Sequence, residues 1–94
     1  MPKRKEIWHN YREVEIEIKD EEPVYTIEVV CQIVGVPYWT LRHFLKEGIV
    51  RPKKVGKKKM LFCMNDLRRI EYAKHLMEEK GININGIKFI LENE

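Results

Sequence analysis

No apolar run in these 94 residues approaches the roughly 18 consecutive positions that a membrane-spanning helix needs, so no membrane association is expected. The basic start, Met1 to Lys5, has no apolar stretch behind it and does not read as a secretory leader, which points to a cytoplasmic location. Cysteine is scarce. Cys31 and Cys63 stand 32 positions apart with no Cys-x-x-Cys spacing, so neither a disulfide framework nor a zinc ribbon is indicated. Both lie in apolar surroundings and are expected to be reduced and buried. The three histidines, His9, His43 and His75, show no ligand spacing, and no metal site is expected. Glycine-rich phosphate loops and nucleophile motifs are absent too. The sequence therefore gives no ground for an enzyme or a bound cofactor.

One further absence is local. Between Gly48 and Phe62 there is no acidic residue, while six of those fifteen positions are Lys or Arg. The net charge of +3 is small, and this stretch alone carries +6; residues 1–22 carry −2, residues 23–47 are neutral and residues 63–94 carry −1. Such a block repels itself unless an anionic partner neutralises it. The rest of the composition, 44% apolar and 35% charged, is that of one small folded domain with a charged surface.

The patterning predicts two parts. Residues 1–22 read as an N-terminal arm. Within it Val14, Ile16 and Ile18 alternate with charged residues, the period of a half-buried strand over about 13–19. Residues 23–94 read as the domain proper. Thr26 is a good N-cap, Ile27, Val30, Cys31 and Val34 keep helical spacing, and Gly35 ends the helix. A second helix starts near Pro37, turns Leu41, Phe44 and Leu45 inward, and stops at Gly48. Two helices joined so tightly make a helix-turn-helix. Ile49-Val50 and Met60-Leu61-Phe62 are β-prone runs, read as two strands around a basic loop over 51–59. A longer helix is expected over about 64–80, with Leu67, Ile70, Ala73, Leu76 and Met77 inside. Asn83 caps a last helix holding Ile84, Ile87, Ile90 and Leu91. The fold class is thus mainly α with a small β wing: a winged helix-turn-helix of about four helices, one hairpin and an N-terminal strand.

Function follows from what the core leaves outside. On the second helix these are Tyr38, Trp39, Arg42, His43 and Lys46. A major groove admits one α-helix, and residues near its N-terminal end reach base edges. Arg42 can bond a guanine or a phosphate, His43 and Tyr38 can donate to bases or backbone, and Lys46 suits a phosphate. In the alternative, Tyr38 and Trp39 pack on the arm or a partner subunit and Arg42 pairs with Glu47. The wing cations Arg51, Lys53, Lys54, Lys57, Lys58 and Lys59 would neutralise phosphates and release counterions, positioning the protein without reading sequence.

From Val24 to Glu92 the chain resembles the DNA-binding domain of the MerR superfamily. The resemblance runs through Tyr25-Thr26-Ile27, Gly35-Val36, Thr40-Leu41-Arg42, Glu47-Gly48-Ile49-Val50 with Arg51-Pro52, and Asp66-Leu67. The end, Gly81-Ile82-Asn83-Ile84-Asn85-Gly86-Ile87-Lys88, is most similar to the heat-shock repressor (HspR-like) branch. It implies a transcriptional regulator that binds double-stranded DNA as a homodimer on a near-palindromic site, with a chaperone or co-chaperone as a further partner. Arg42 falls at the family's phosphate-contacting arginine and His43 at an aromatic that touches DNA, and Thr40 joins the candidate contacts. The chain departs from the family where Lys59, Met60 and Leu61 replace the usual tyrosine or arginines, and where Cys63 replaces a serine cap. It also lacks the long dimerisation helix and effector domain of the metal- or drug-sensing members. Two other readings stand beside it: a chaperone-modulator-like interaction module without DNA binding, and an excisionase-like architectural DNA binder.

Overall fold

A computed structural model of the chain describes residues 18–93. The first helix, α1 (Ile27–Val34), starts where the extended Thr26 turns its hydroxyl to accept from the Val29 amide at 3.4 Å. It ends at Gly35, whose φ of 78° lets its amide bond back to the Cys31 carbonyl at 2.8 Å. That left-handed conformation is natural for glycine and strained for other residues. Only residues 35–37 separate α1 from α2 (Tyr38–Lys46). Pro37 precedes α2 in extended conformation, so the fixed proline φ launches the helix from just outside it. These are the two helices and the tight turn that the caps foretell.

The wing departs from expectation. Its strands are β1 (Lys53–Val55) and β2 (Lys59–Leu61), paired antiparallel with Lys54 opposite Met60, and the turn at Gly56 has a φ of 71°. Ile49 and Val50, read above as a strand, are instead core residues with 1% exposure each. Their β-branched side chains are drawn into the interior, and pairing begins only once the chain has left it. The lysines consequently stand in the strands as well as in the turn. At the far end of β2, Phe62 bridges back to Tyr25, with amide-to-carbonyl bonds at 2.7 and 2.9 Å. The segment entering α1 and the segment leaving the wing therefore hold each other.

Helix α3 (Met64–Glu78) opens with the Asp66 carboxylate accepting from the Cys63 amide at 3.0 Å. It ends two residues before the expected Lys80. Helix α4 (Ile84–Glu92) is capped by Asn83, whose side chain accepts from the Gly86 amide at 2.8 Å. The core gathers Val30 from α1, Leu41 and Phe44 from α2, Ile70 and Ala73 from α3, Ile87 from α4 and Phe62 from the wing's exit, all fully buried. At about 1.5–3 kcal/mol for each large apolar side chain, this cluster is what holds the helices together. Both cysteines are free but only half-buried, against the full burial expected. Cys31 sits at the edge of the inner stripe of α1, and Cys63 occupies the extended cap of α3, close to the surface. The thiol of Cys31 is pushed upward in pKa, first by partial burial and then by the charge of Glu28, which keeps it protonated and unreactive.

Residues 13–17 of the expected N-terminal strand lie outside the described residues, and its last positions, Ile18 and Lys19, are not in a strand. Asp20 is tied to the start of α3: its carbonyl accepts from the Asn65 amide at 3.1 Å, and its carboxylate meets the Arg68 guanidinium at 2.9 Å. Among the described residues, no helix is long and apolar enough to cross a membrane.

Candidate nucleic-acid interface

Burying Leu41 and Phe44 fixes the rotation of α2 and so decides which side chains it presents. Tyr38 is 50% exposed, Trp39 is 75% exposed, and Arg42, His43 and Lys46 are exposed as well. Thr40 is half-buried at the flank. An exposed tryptophan on a charged helix is unusual, because the aromatic body gains most when covered. Arg42 does not pair with Glu47. Its guanidinium lies over the Tyr38 ring at 6.0 Å, one turn back, at the outer reach of a cation–π contact. It is His43 that approaches Glu47, at 3.9 Å, a partly exposed contact, and among the described residues Arg42 and Lys46 meet no carboxylate.

The wing folds up beside this face. A cleft of about 460 Å³ lies between α2 and the hairpin. Seven cations line it: Arg42 and Lys46 from α2, Arg51 from the connection, and Lys54, Lys57, Lys58 and Lys59 from the wing. Leu45, Val50, Pro52 and Met60 form its apolar floor, and among the described residues no carboxylate lines it. A second, smaller cleft of about 290 Å³ opens on the other side of Arg42, where Lys58, Lys59 and Met60 meet Tyr38 and the first residues of α1, Thr26 to Glu28. Arg42 thus stands on the ridge between two clefts, with wing lysines across both.

Glycine shapes the approach of Arg51. Gly48 has a φ of 76°, and a side chain there would meet the Arg51 guanidinium at 3.3 Å. The turn that ends α2 therefore also makes room for the first wing cation. With seven like charges around one concavity, every added positive charge raises the local potential, and a polyanion is the partner that relieves it. A neutral or basic surface gains nothing there. The cleft has the shape and sign to follow a phosphate backbone while α2 projects beside it.

Of the twelve residues singled out in the sequence, seven line the main cleft and Tyr38 joins Arg42, Lys58 and Lys59 in the smaller one. Trp39, Thr40, His43 and Lys53 line neither. The apolar floor at Met60, and Thr26 beside Arg42, escaped the sequence reading. A cleft floor is set by which strand residues face α2, and no local pattern in three-residue strands reveals that. Among the described residues, no three metal-ligating side chains come together.

A helix-turn-helix followed at once by a cation-rich hairpin, with a long helix bracing both, defines a winged helix-turn-helix protein. Residues 25–94 match the profile of the MerR HTH family regulatory proteins. A Streptomyces coelicolor protein bearing the name heat shock protein HspR is 32% identical over 78 residues, which cover 83% of this chain and 52% of that protein. The chain belongs to the MerR family. The crystal structure of HiNmlR, a MerR family regulator lacking the sensor domain, bound to promoter DNA, superposes with a TM-score of 0.65 at 24% identity, over 73% of this chain and 52% of that one. That likeness carries the fold. The chain spans about half the length of these two proteins.

Proposed function

We propose that this chain is a DNA-binding transcriptional regulator that lays α2 in a major groove and closes its wing on the flanking phosphate backbone. The observation that carries the reading is the seven-cation cleft between α2 and the hairpin, with no carboxylate among the described residues that line it. A major groove about 12 Å wide accepts a helix with side chains, and Arg42 projects from the middle of α2, one turn after Tyr38. Tyr38, Trp39, Thr40 and His43 are its neighbours for base or sugar contact. Lys46, Arg51, Lys53, Lys54, Lys57, Lys58 and Lys59 serve phosphates. The DNA-binding unit is residues 23–94, with residues 1–22 as an arm. Two copies would bind a two-fold operator as a homodimer. HiNmlR, whose fold this chain shares, is itself described bound to promoter DNA.

The test is a titration of a fluorescent random-sequence duplex, followed by anisotropy. Binding at low salt is expected, weakening as salt rises by about 0.9 in log–log slope for every phosphate neutralised. Lys58→Ala is expected to reduce that slope by about one. An absence of duplex binding at low salt contradicts the reading.

A further inference from the structure

The wing has to hold one angle to α2, or its lysines and Arg42 cannot meet the same duplex. The hairpin itself does not fix that angle. Its strands begin at Lys53, and the segment joining it to α2 is anchored by the buried side chains of Ile49 and Val50 before any strand pairing starts. Ile49 is buried there, its amide bonded to the Phe44 carbonyl at 2.9 Å. Its carbonyl lies ahead of the paired strands and, in a buried residue, needs a donor. That donor is Arg69, twenty residues on: its half-buried Nε gives its hydrogen to the Ile49 carbonyl. Lys74, five residues further along α3, does the same for α1, with its Nζ 2.9 Å from the Val34 carbonyl. Two cations on one rigid helix thus hold two separate connections of the DNA-facing unit.

We infer that Arg69 is a positioning residue for nucleic-acid binding, fixing the wing against α2 through its bond to the Ile49 carbonyl. It lines neither basic cleft, so it acts through the wing and not by touching DNA. The inference rests on the DNA-binding reading above. Duplex binding by the unaltered chain tests that reading, and substitution of Arg69 tests the positioning alone.

The bond comes from Nε, and this makes a discriminating pair of variants available. Arg69→Gln places an amide nitrogen at the same number of bonds from the backbone, whereas Arg69→Met places a methyl there. Both lose the charge, so they differ only in the donor. Each is combined with Lys58→Ala and titrated with the random duplex across salt. Arg69→Gln is expected to keep the salt slope within about one of the unaltered chain's, and to keep the loss of about one on adding Lys58→Ala. For Arg69→Met the slope is expected to shrink by about two or more, and Lys58→Ala is expected to change it no further, because the wing no longer meets the duplex. Lys74→Met, which removes the equivalent bond to α1, is expected to lower Tm while leaving the effect of Lys58→Ala intact. If Arg69→Met does not fold, Arg69→Leu replaces it with the same expected loss, since it too carries neither the charge nor a donor. Equal slopes for the Gln and Met (or Leu) variants, with the full Lys58 effect in both, overturn the inference.

Discussion

Arg42 is the residue on which the two clefts converge, and the cost of removing it measures how closely α2 is engaged. A good bidentate contact to a base is worth about 1–3 kcal/mol, so Arg42→Ala is expected to weaken duplex binding by roughly 5- to 150-fold. Its side chain is exposed and, among the described residues, tied only to Tyr38, so the variant's Tm is expected to stay within a degree or two. Comparable binding by Arg42→Ala and the unaltered chain places the contact elsewhere. Phe44 is the opposite case. It is fully buried on the inner side of the same helix, and Phe44→Ala is expected to cost about 3–5 kcal/mol. Chemical denaturation measures this directly, and a loss under 1 kcal/mol shows that the core does not depend on α2 in the way described. At this scale much was legible. Leu41 and Phe44 announce the inner stripe of α2 by their spacing, and subtracting them exposes Tyr38, Trp39, Arg42, His43 and Lys46. What spacing cannot state is which exposed stripe turns toward the wing. That depends on where the chain goes after Gly48, and it divides Arg42 and Lys46 from Trp39 and His43.

The elements show why capping chemistry reads well from sequence and short strands read poorly. Thr26, Gly35 and Asn83 each satisfy backbone groups within three or four residues, so the signal and the bond are both local. The wing strands are three residues each, and β1 is wholly exposed. No alternation can develop over that length, and the apolar pair Ile49-Val50 drew the strand assignment to itself. The bonds from Arg69 and Lys74 cross 20 and 40 residues, and one Arg among many on a helix carries no local mark of a distant carbonyl. Gly48 joins the element to the site. Gly48→Ala sets a side chain in the left-handed region at a cost of about 1–2 kcal/mol, and also pushes Arg51 away. Lower Tm together with weaker duplex binding is expected. Unchanged binding at a lowered Tm would separate Arg51 from the interface.

For the whole molecule, the governing feature is the separation of charge. The net charge is only +3, yet the fold assembles seven cations around one cleft, while Asp20, in the net-acidic stretch 1–22, is tied to α3. The composition made this visible as a basic block; the fold adds Arg42 and Lys46 to it from a neutral stretch of sequence. A domain of this size is stable by about 5–15 kcal/mol, so the self-repulsion of such a cluster is a real cost that an anionic partner offsets. The most direct test is the full salt dependence of binding to a random duplex. Four to six phosphate contacts per subunit give an expected log–log slope of roughly −4 to −5 per subunit. A slope in that range identifies the cleft as a grip on the DNA backbone. Binding whose slope lies near zero, or no binding at low salt, contradicts it.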